Sequence, residues 1–358
     1  MNSEPTSRKK PRASRAVPPG LPTEVIGKTT INDIARLAGV SKKTVSRVLN
    51  NSPLVREDTR ERVRALMQQR SYEPDPQARG LAFRRSFLVG LVFDNPTAQY
   101  IVNMQYGVLD ALQGSSFELV VHPCDSRSAG YIDGVRRFVT QQKLFGVILI
   151  PRVSEDQALA DMLTEIGCRY VRIASIRLDQ PGHMLQTQDR LAGVEVAHYL
   201  DSLGHKLLGL ITGPKRYRSA IERGEGFGEG LTRRGIALDP RYVYEGGYTF
   251  ESGVAGAEHL LSLNPRPTAI FACNDEMAAG VYKAALRMGL SIPGDLSVIG
   301  YDDSPLASQL WPSLTTIRLP VRDVGRQATQ LLLSEPTQTA LISVTPHLVV
   351  RDSSQPPR

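Results

Sequence analysis

Cysteine is scarce in this chain. The three present (Cys124, Cys168 and Cys273) are far apart and odd in number. That argues against a disulfide framework and a Cys-based zinc site, and points to a reducing cytoplasm. Long apolar runs are also missing. The longest, such as 87-FLVGLVF-93 and 145-FGVILI-150, fall far below the ~18 residues a membrane span needs. The first 20 residues lack the apolar core of a secretory signal. A cytoplasmic protein with no membrane association is expected. The six histidines are dispersed without metal-ligand spacing, and no P-loop, HExxH or GxSxG occurs. No catalytic set, metal or cofactor is therefore expected, and the chain does not read as an enzyme. The segment 224-GEGFGEG-230 imitates a dinucleotide fingerprint but has Glu229 where the third glycine belongs, and it follows charged residues rather than a strand. Phe227 reads as a core residue of a helix there, and His205 as a loop or helix-end residue.

What is present is globular. At 358 residues, 41% hydrophobic and 22% charged, the chain suits two or three domains. Its charge is unevenly spread. Residues 1–86 carry 18 Lys/Arg against 8 Asp/Glu, whereas residues 87–358 carry 25 against 28. The excess positive charge sits in the first quarter, as in a polyanion-binding segment joined to a near-neutral domain. Residues 1–28, with five prolines and the cluster 8-RKKPR-12, have no apolar period and read as a disordered basic tail.

Three short helices are expected within 29–70. Thr30 caps the first, with Asp33 at its third position, and Ile31, Ile34, Ala35 and Ala38 share one face. Gly39 ends it. Ser41 caps the second, which buries Val45, Val48 and Leu49 and presents Lys43, Ser46, Arg47 and Asn50 on the opposite side. The third runs from about Arg56 to Arg70, with Val63, Leu66 and Met67 inward. Two helices joined by a tight glycine turn make a helix-turn-helix. An outward face of Lys, Ser, Arg and Asn suits the DNA major groove, where Arg can bond guanine bidentately. From Phe87 onward, short β-branched runs alternate with amphipathic stretches, the pattern of parallel sheets covered by helices. The runs are 87-FLVGLVF-93, 117-FELVV-121, 145-FGVILI-150, 207-LLGLI-211, 269-AIFA-272 and 296-LSVIG-300. About 270 residues of this pattern is enough for two such layers, with a ligand crevice at the strand C-terminal ends.

The stretch 29-TTINDIARLAGVSKKTVSRVLNN-51 resembles the headpiece of the lactose/galactose-repressor (LacI/GalR) family of bacterial transcription regulators. The stretch 71-SYEPDPQARGLAF-83 resembles that family's hinge helix. Farther on, 273-CNDEMAAG-280 and 300-GYDDSPLA-307 resemble marks of its periplasmic-binding-protein-like effector domain. The likeness covers about residues 29–352. It implies a headpiece at 29–72, a hinge helix and linker at 73–86, and an effector-binding and dimerisation domain at 87–352, before a tail at 353–358. The last domain would hold two Rossmann-like α/β subdomains, one over about 87–186 and 316–342, the other over about 187–315 and 343–352.

Roles follow from the resemblance. Lys42, Lys43 and Arg47 match base-reading positions, and Ser41, Thr44 and Asn50 match phosphate-contacting ones. Thr30 belongs to the DNA-binding set. Leu81 matches the hinge leucine that wedges into the minor groove, where an apolar side chain can unstack a base step. Asp75 can cap the hinge helix, with Pro76 at its first position. Gly80 weakens it, so it is expected to fold only against DNA and a dimer mate. Pro76, Gly80 and Arg56 depart from the usual pattern. Arg223, Tyr248, Asn274 and Asp302 match effector-contacting positions, together with Asp275 and Asp189. Asn and Asp suit vicinal hydroxyls, Arg suits paired oxygens and an aromatic ring suits a sugar face, so a sugar is the expected effector. The segment 94–102 should line the pocket mouth. The implied protein is a homodimeric repressor of carbohydrate-utilisation genes, bound to a near-palindromic operator. A transport protein of the same fold and an enzyme using the crevice are the alternatives. The absent signal and the helix-turn-helix oppose the first, and the missing nucleophile–base set opposes the second.

Overall fold

A computed structural model describes residues 29–49, 52, 54–72, 86–95, 97–335 and 340–358. The basic tail 1–28, Asn50 and the hinge positions 73–85, Leu81 included, lie outside the described residues. The chain forms two compact units, residues 1–75 and 76–358.

In the first unit, helix α1 (Ile31–Ala38) opens on a capping box, in which Thr30 and Asp33 each bond the other's backbone N–H. It ends on left-handed Gly39. Helix α2 (Lys42–Leu49) starts where Ser41 Oγ accepts from Thr44 N at 3.1 Å. Helix α3 (Glu57–Gln69) has Arg56 at its N-cap and no side-chain cap bond. Its first turn relies instead on Glu57 and Asp58, whose charges oppose the helix dipole. Ile34, Ala35, Ala38, Val45, Val48, Val55 and Val63 make the core, flanked by half-buried Leu49, Leu66 and Met67. Seven small apolar residues are a modest core, each of the larger ones contributing about 2 kcal/mol by burial.

The second unit holds two six-stranded sheets. The first lobe runs β1 (Leu88–Phe93), α4 (Ala98–Leu112), β2 (Glu118–Pro123), α5 (Tyr131–Gln142), β3 (Gly146–Leu149), α6 (Gln157–Glu165), β4 (Arg169–Ala174) and β5 (Met184–Thr187). The second runs α7 (Asp189–Ser202), β6 (Leu208–Thr212), α8 (Arg218–Thr232), β7 (Val243–Glu245), α9 (Phe250–Leu261), β8 (Ala269–Ala272), α10 (Asp275–Arg287), β9 (Ser297–Tyr301), α11 (Pro305–Gln309) and β10 (Thr315–Arg318). Helix α12 (Val321–Leu333) then packs on α4 of the first lobe. Strand β11 (Ile342–Val344) joins the first sheet and β12 (His347–Val349) the second. The sheet orders are β11-β5-β4-β3-β1-β2 and β12-β10-β9-β8-β6-β7. Every pairing is parallel except β12 with β10. Central strands β3, β8 and β9 are buried along their whole length, as strands covered on both faces must be.

Three expectations need correction. Residues 315–317 of β10 pair with β9 and Arg318 pairs with β12, so β10 belongs to the second lobe and the return to the first lobe comes after Arg318 rather than at 316. Strand β11 pairs with β5, which carries the first lobe through Val344 rather than 342. The residues 353–358, expected as a tail, are built into the second lobe. Ser353 is fully buried; its Oγ donates to Val298 O at 2.6 Å and accepts from Thr315 N at 2.8 Å. Gln355 N donates to Ser297 Oγ at 3.1 Å, and Gln355 O lies 3.0 Å from His205 Nε2. His205 is therefore a buried clamp on the C-terminal segment, and its burial holds the imidazole pKa below the usual range. Ser353→Ala would leave the Thr315 N–H buried and unpaired, an expected loss of about 1–3 kcal/mol in urea unfolding. Unchanged unfolding would show that this segment does not brace the lobe.

The 224-GEGFGEG-230 run lies inside α8. Phe227 is fully buried. A Cβ on Gly226 would sit 2.0 Å from Arg190 O, so this glycine serves the close approach of α7 and α8.

Candidate DNA-reading face and effector crevice

On the headpiece, Ser41, Lys42 and Lys43 are exposed and Thr44 and Arg47 half-buried, with Lys43 and Arg47 on the side of α2 away from Val45 and Val48. The Lys and Arg side chains are thus presented outward by a helix whose other face is core. Ser41 also accepts from Thr44 N, which makes it a cap as well as a surface hydroxyl. Thr30 caps α1: its Oγ1 donates to Asp33 Oδ2 at 2.7 Å and accepts from Asp33 N at 3.3 Å. That hydrogen bond, with the Thr30 backbone, holds the Asp33 carboxyl below the usual carboxylate range.

In the second unit a crevice, partly open to solvent, lies between the lobes. The first lobe contributes Asn95, Thr97, Tyr100 and Pro151, so part of the 94–102 segment does line it. The second contributes Asp189, Tyr217, Ser219, Arg223, Tyr248, Asn274 and Asp302, with Thr187 and Leu319 at the crossovers. Most of these follow the C-terminal ends of strands, where parallel sheets place their ligand sites.

The centre of the crevice is a buried ion pair. Arg223 Nε donates to Asp189 Oδ1 at 2.8 Å, and Arg223 Nη1 donates to Cys273 O at 2.7 Å. The guanidinium lies flat on the Tyr301 ring, 3.5 Å from its centroid. Asp189 also accepts from Tyr301 OH at 2.9 Å and from Thr187 Oγ1 at 2.6 Å. Burial opposes the Arg223 charge, but Tyr301, Tyr248, Asp189 and Asp302 around it keep it protonated, its pKa well above the ordinary value. The glutamates beside Arg223 in sequence do not pair with it; Glu222 and Glu225 bond Arg190 instead. Of the two neighbours it is Asp189 that lines the crevice, while Gln188 bonds Ser343 at 2.5 Å.

Three crevice groups have capacity left over. The Tyr248 hydroxyl is buried with no protein partner among the described residues. Its ring stands edge-on to Tyr217, centroids 5.6 Å apart, in space that a Cβ on Gly213 would fill. Asn274 caps α10: its Oδ1 accepts from Met277 N at 2.9 Å and its Nδ2 donates to Tyr248 O at 3.1 Å, leaving one N–H. The Asp302 carboxylate accepts no hydrogen bond from the described residues. Burial pushes its pKa up to about 8; Arg223 pulls it down, and Asp275 and Asp189 add to the rise. Tyr248, Asp302 and Asp303 all take positive φ, at 64°, 113° and 52°. Such strain costs of order 1–3 kcal/mol per residue and collects at functional sites.

Asp275 does not line the crevice. Its carboxylate turns under β9, accepting from Thr316 Oγ1 at 2.6 Å and from Ser304 N at 2.7 Å. Both oxygens are engaged within the protein, so the expected ligand contact is replaced by support for the Asp302 loop. Asp303 holds the same loop through Arg318 and Arg351. Tyr301 and Thr187 were not foreseen as parts of the site; the only signal for Tyr301 is its place beside Asp302 in 300-GYDD-303.

Residues 30–75 match the model for bacterial regulatory proteins of the lacI family, and residues 197–354 match that for a periplasmic binding protein-like domain. The probable HTH-type transcriptional repressor ExuR of Bacillus subtilis (strain 168) is 32% identical over 334 residues, covering 90% of this chain and 98% of that protein. The chain belongs to the LacI/GalR family. The ribose operon repressor of Haemophilus influenzae is 33% identical over 304 residues, 85% of this chain and 91% of that protein. Among solved structures, a lac repressor dimer bound to operator and the anti-inducer ONPF superposes with a TM-score of 0.76 at 28% identity, over 92% of this chain and all of that one. A LacI-family chain is a DNA-binding regulator and not an enzyme, and this one carries the family's helix-turn-helix and its binding-protein-like lobes. No helix among the described residues is long and apolar enough to cross a membrane.

Proposed function

We propose that this protein is a dimeric repressor of carbohydrate-utilisation genes. Two headpieces read the half-sites of a near-palindromic operator through Lys42, Lys43 and Arg47, with Ser41, Thr44 and Asn50 on phosphates and Leu81 wedged at the centre. A sugar bound by Arg223, Asp189, Tyr248, Asn274 and Asp302 shifts the operator affinity by favouring one arrangement of the lobes. The observation that carries this reading is the crevice itself. An unpartnered tyrosine hydroxyl, a spare amide N–H and an unpaired carboxylate converge there around a buried Arg–Asp pair. Those are the groups a polyhydroxylated ligand satisfies. The resident pair is internally neutralised, which favours an uncharged sugar. The likeness to a ribose operon repressor agrees with this class of ligand.

Dimerisation is supported by an exposed apolar stripe on α4, where Val102, Tyr106 and Leu109 recur at helical spacing, and by Trp311, which is 92% exposed. A self-complementary apolar patch is what a two-fold interface requires. The DNA reading is tested at Arg47. Arg47→Ala should weaken operator binding by about 1–3 kcal/mol and relax base preference at one position per half-site. Equal loss on every sequence would assign Arg47 to phosphate alone.

A further inference from the structure

We propose that Arg60 is a positioning residue for DNA reading, a fork that fixes the loop behind the recognition helix rather than one of the cations that meet phosphate. The proposal rests on the base-reading role assigned to α2. Arg60 lies in the first turn of α3, in the most basic part of the chain, and charge alone would count it as a phosphate contact. Its geometry differs. The side chain is only 12% exposed. Nη2 donates to Ser52 O at 3.0 Å and to Val55 O at 3.3 Å, and Nε donates to Glu57 Oε2 at 3.1 Å. Ser52 N in turn donates to Arg47 O at 3.0 Å, closing the end of α2. Val55 is buried in the headpiece core beside Val48 and Val63.

The other bonds among the described residues of this loop are long: Val55 N donates to Ser52 O and Leu54 N to Ser52 Oγ, each at 3.4 Å. Arg56, at the N-cap of α3, provides no side-chain cap bond. The guanidinium makes the shorter bond to Ser52 O and joins it to Val55 O, and through Ser52 it bears on the angle at which Arg47 leaves the scaffold. A planar fork can serve two carbonyls and a carboxylate together; an ammonium cannot.

The test compares Arg60→Lys and Arg60→Gln with the parent on the duplex that the parent enriches from random DNA. Affinity is measured over a series of salt concentrations, at a temperature where circular dichroism shows each headpiece folded. A phosphate contact would survive as lysine, and the glutamine variant would lose about 0.9 from the slope of log affinity against log salt. A positioning fork gives the opposite pattern: both variants lose about tenfold in affinity with the slope unchanged. Retention by Arg60→Lys, or a reduced slope in Arg60→Gln, would overturn the proposal. If neither variant folds, Glu57→Gln decides. Removing a negative charge near DNA should tighten binding on electrostatics alone, whereas loss of the guanidinium's anchor weakens it; tighter binding would overturn the proposal. Failure of the parent to enrich any duplex would instead overturn the base-reading role of α2, and this inference with it.

Discussion

Asp302→Ala is expected to abolish the effector response while operator binding persists. Asp302 presents the one crevice carboxylate without a partner among the described residues, on a loop held in strained backbone by Asp275 and Asp303. A charge-assisted hydrogen bond from a ligand hydroxyl is worth roughly 1.5–3 kcal/mol. Two such bonds to the ionised carboxylate make an expected affinity loss of at least a hundredfold above pH 8. The pH dependence is a second signature. With its pKa near 8, the carboxyl is mostly protonated at neutral pH. Ligand hydroxyls that donate to it favour the ionised form, so affinity should rise from pH 6 to pH 8 and level off above, by at most about tenfold per unit. Asp302→Asn should flatten that profile in calorimetric titrations. Stability runs the other way. A carboxyl whose folded pKa is raised contributes stability that is complete below its unfolded value and lost as pH rises through about 8. Asp302→Asn should therefore melt higher than the parent at pH 9, with the gap closing toward pH 4. An unchanged dose response in Asp302→Ala would remove this residue from the site.

Arg223→Met is expected to cost both effector binding and the fold of the second unit. It would leave the Asp189 carboxylate, almost fully buried, with only Tyr301 and Thr187 as donors. Breaking a buried pair from one side costs about 3–5 kcal/mol. Arg223→Lys should rescue little, because one ammonium cannot reach Asp189 and the Cys273 carbonyl while lying flat on Tyr301. Removing both charges, as in Asp189→Leu with Arg223→Met, should recover much of the stability and none of the binding. Denaturant unfolding and effector titration on the same variants separate the two effects. Full effector binding by Arg223→Met would contradict the site.

Much of this was legible in residue types. The headpiece is local: capping at Thr30, a glycine turn at Gly39 and apolar periodicity specify its helices without distant contacts. The strands β1, β3, β6, β8 and β9 announce themselves as apolar runs because both faces are covered. Strand β4 does not, since Arg172 sits in it fully buried, with Nε donating to Ser154 O at 2.6 Å. Nor do β5 and β10, which are short and carry polar residues (MLQT and TTIR) that are mostly buried all the same. Asp275 shows the limit for sites. It adjoins Asn274 in sequence, yet the first helical turn sends the two side chains different ways, one to the cap and crevice, the other under β9. Residue type could not tell the ligand contact from its support. The C-terminal hexapeptide was likewise unreadable, because nothing in SSQPPR signals that Ser353 fills a gap between β9 and β10.

The most direct test of the central claim is a selection of random duplex DNA on the purified protein, repeated in the presence of a panel of uncharged sugars. The account predicts a palindrome with a central pyrimidine–purine step, enriched strongly in one arm and weakly in the other, and a sugar effect that Asp302→Ala erases. Enrichment of no sequence at low salt, or a palindrome that no sugar shifts, would contradict it.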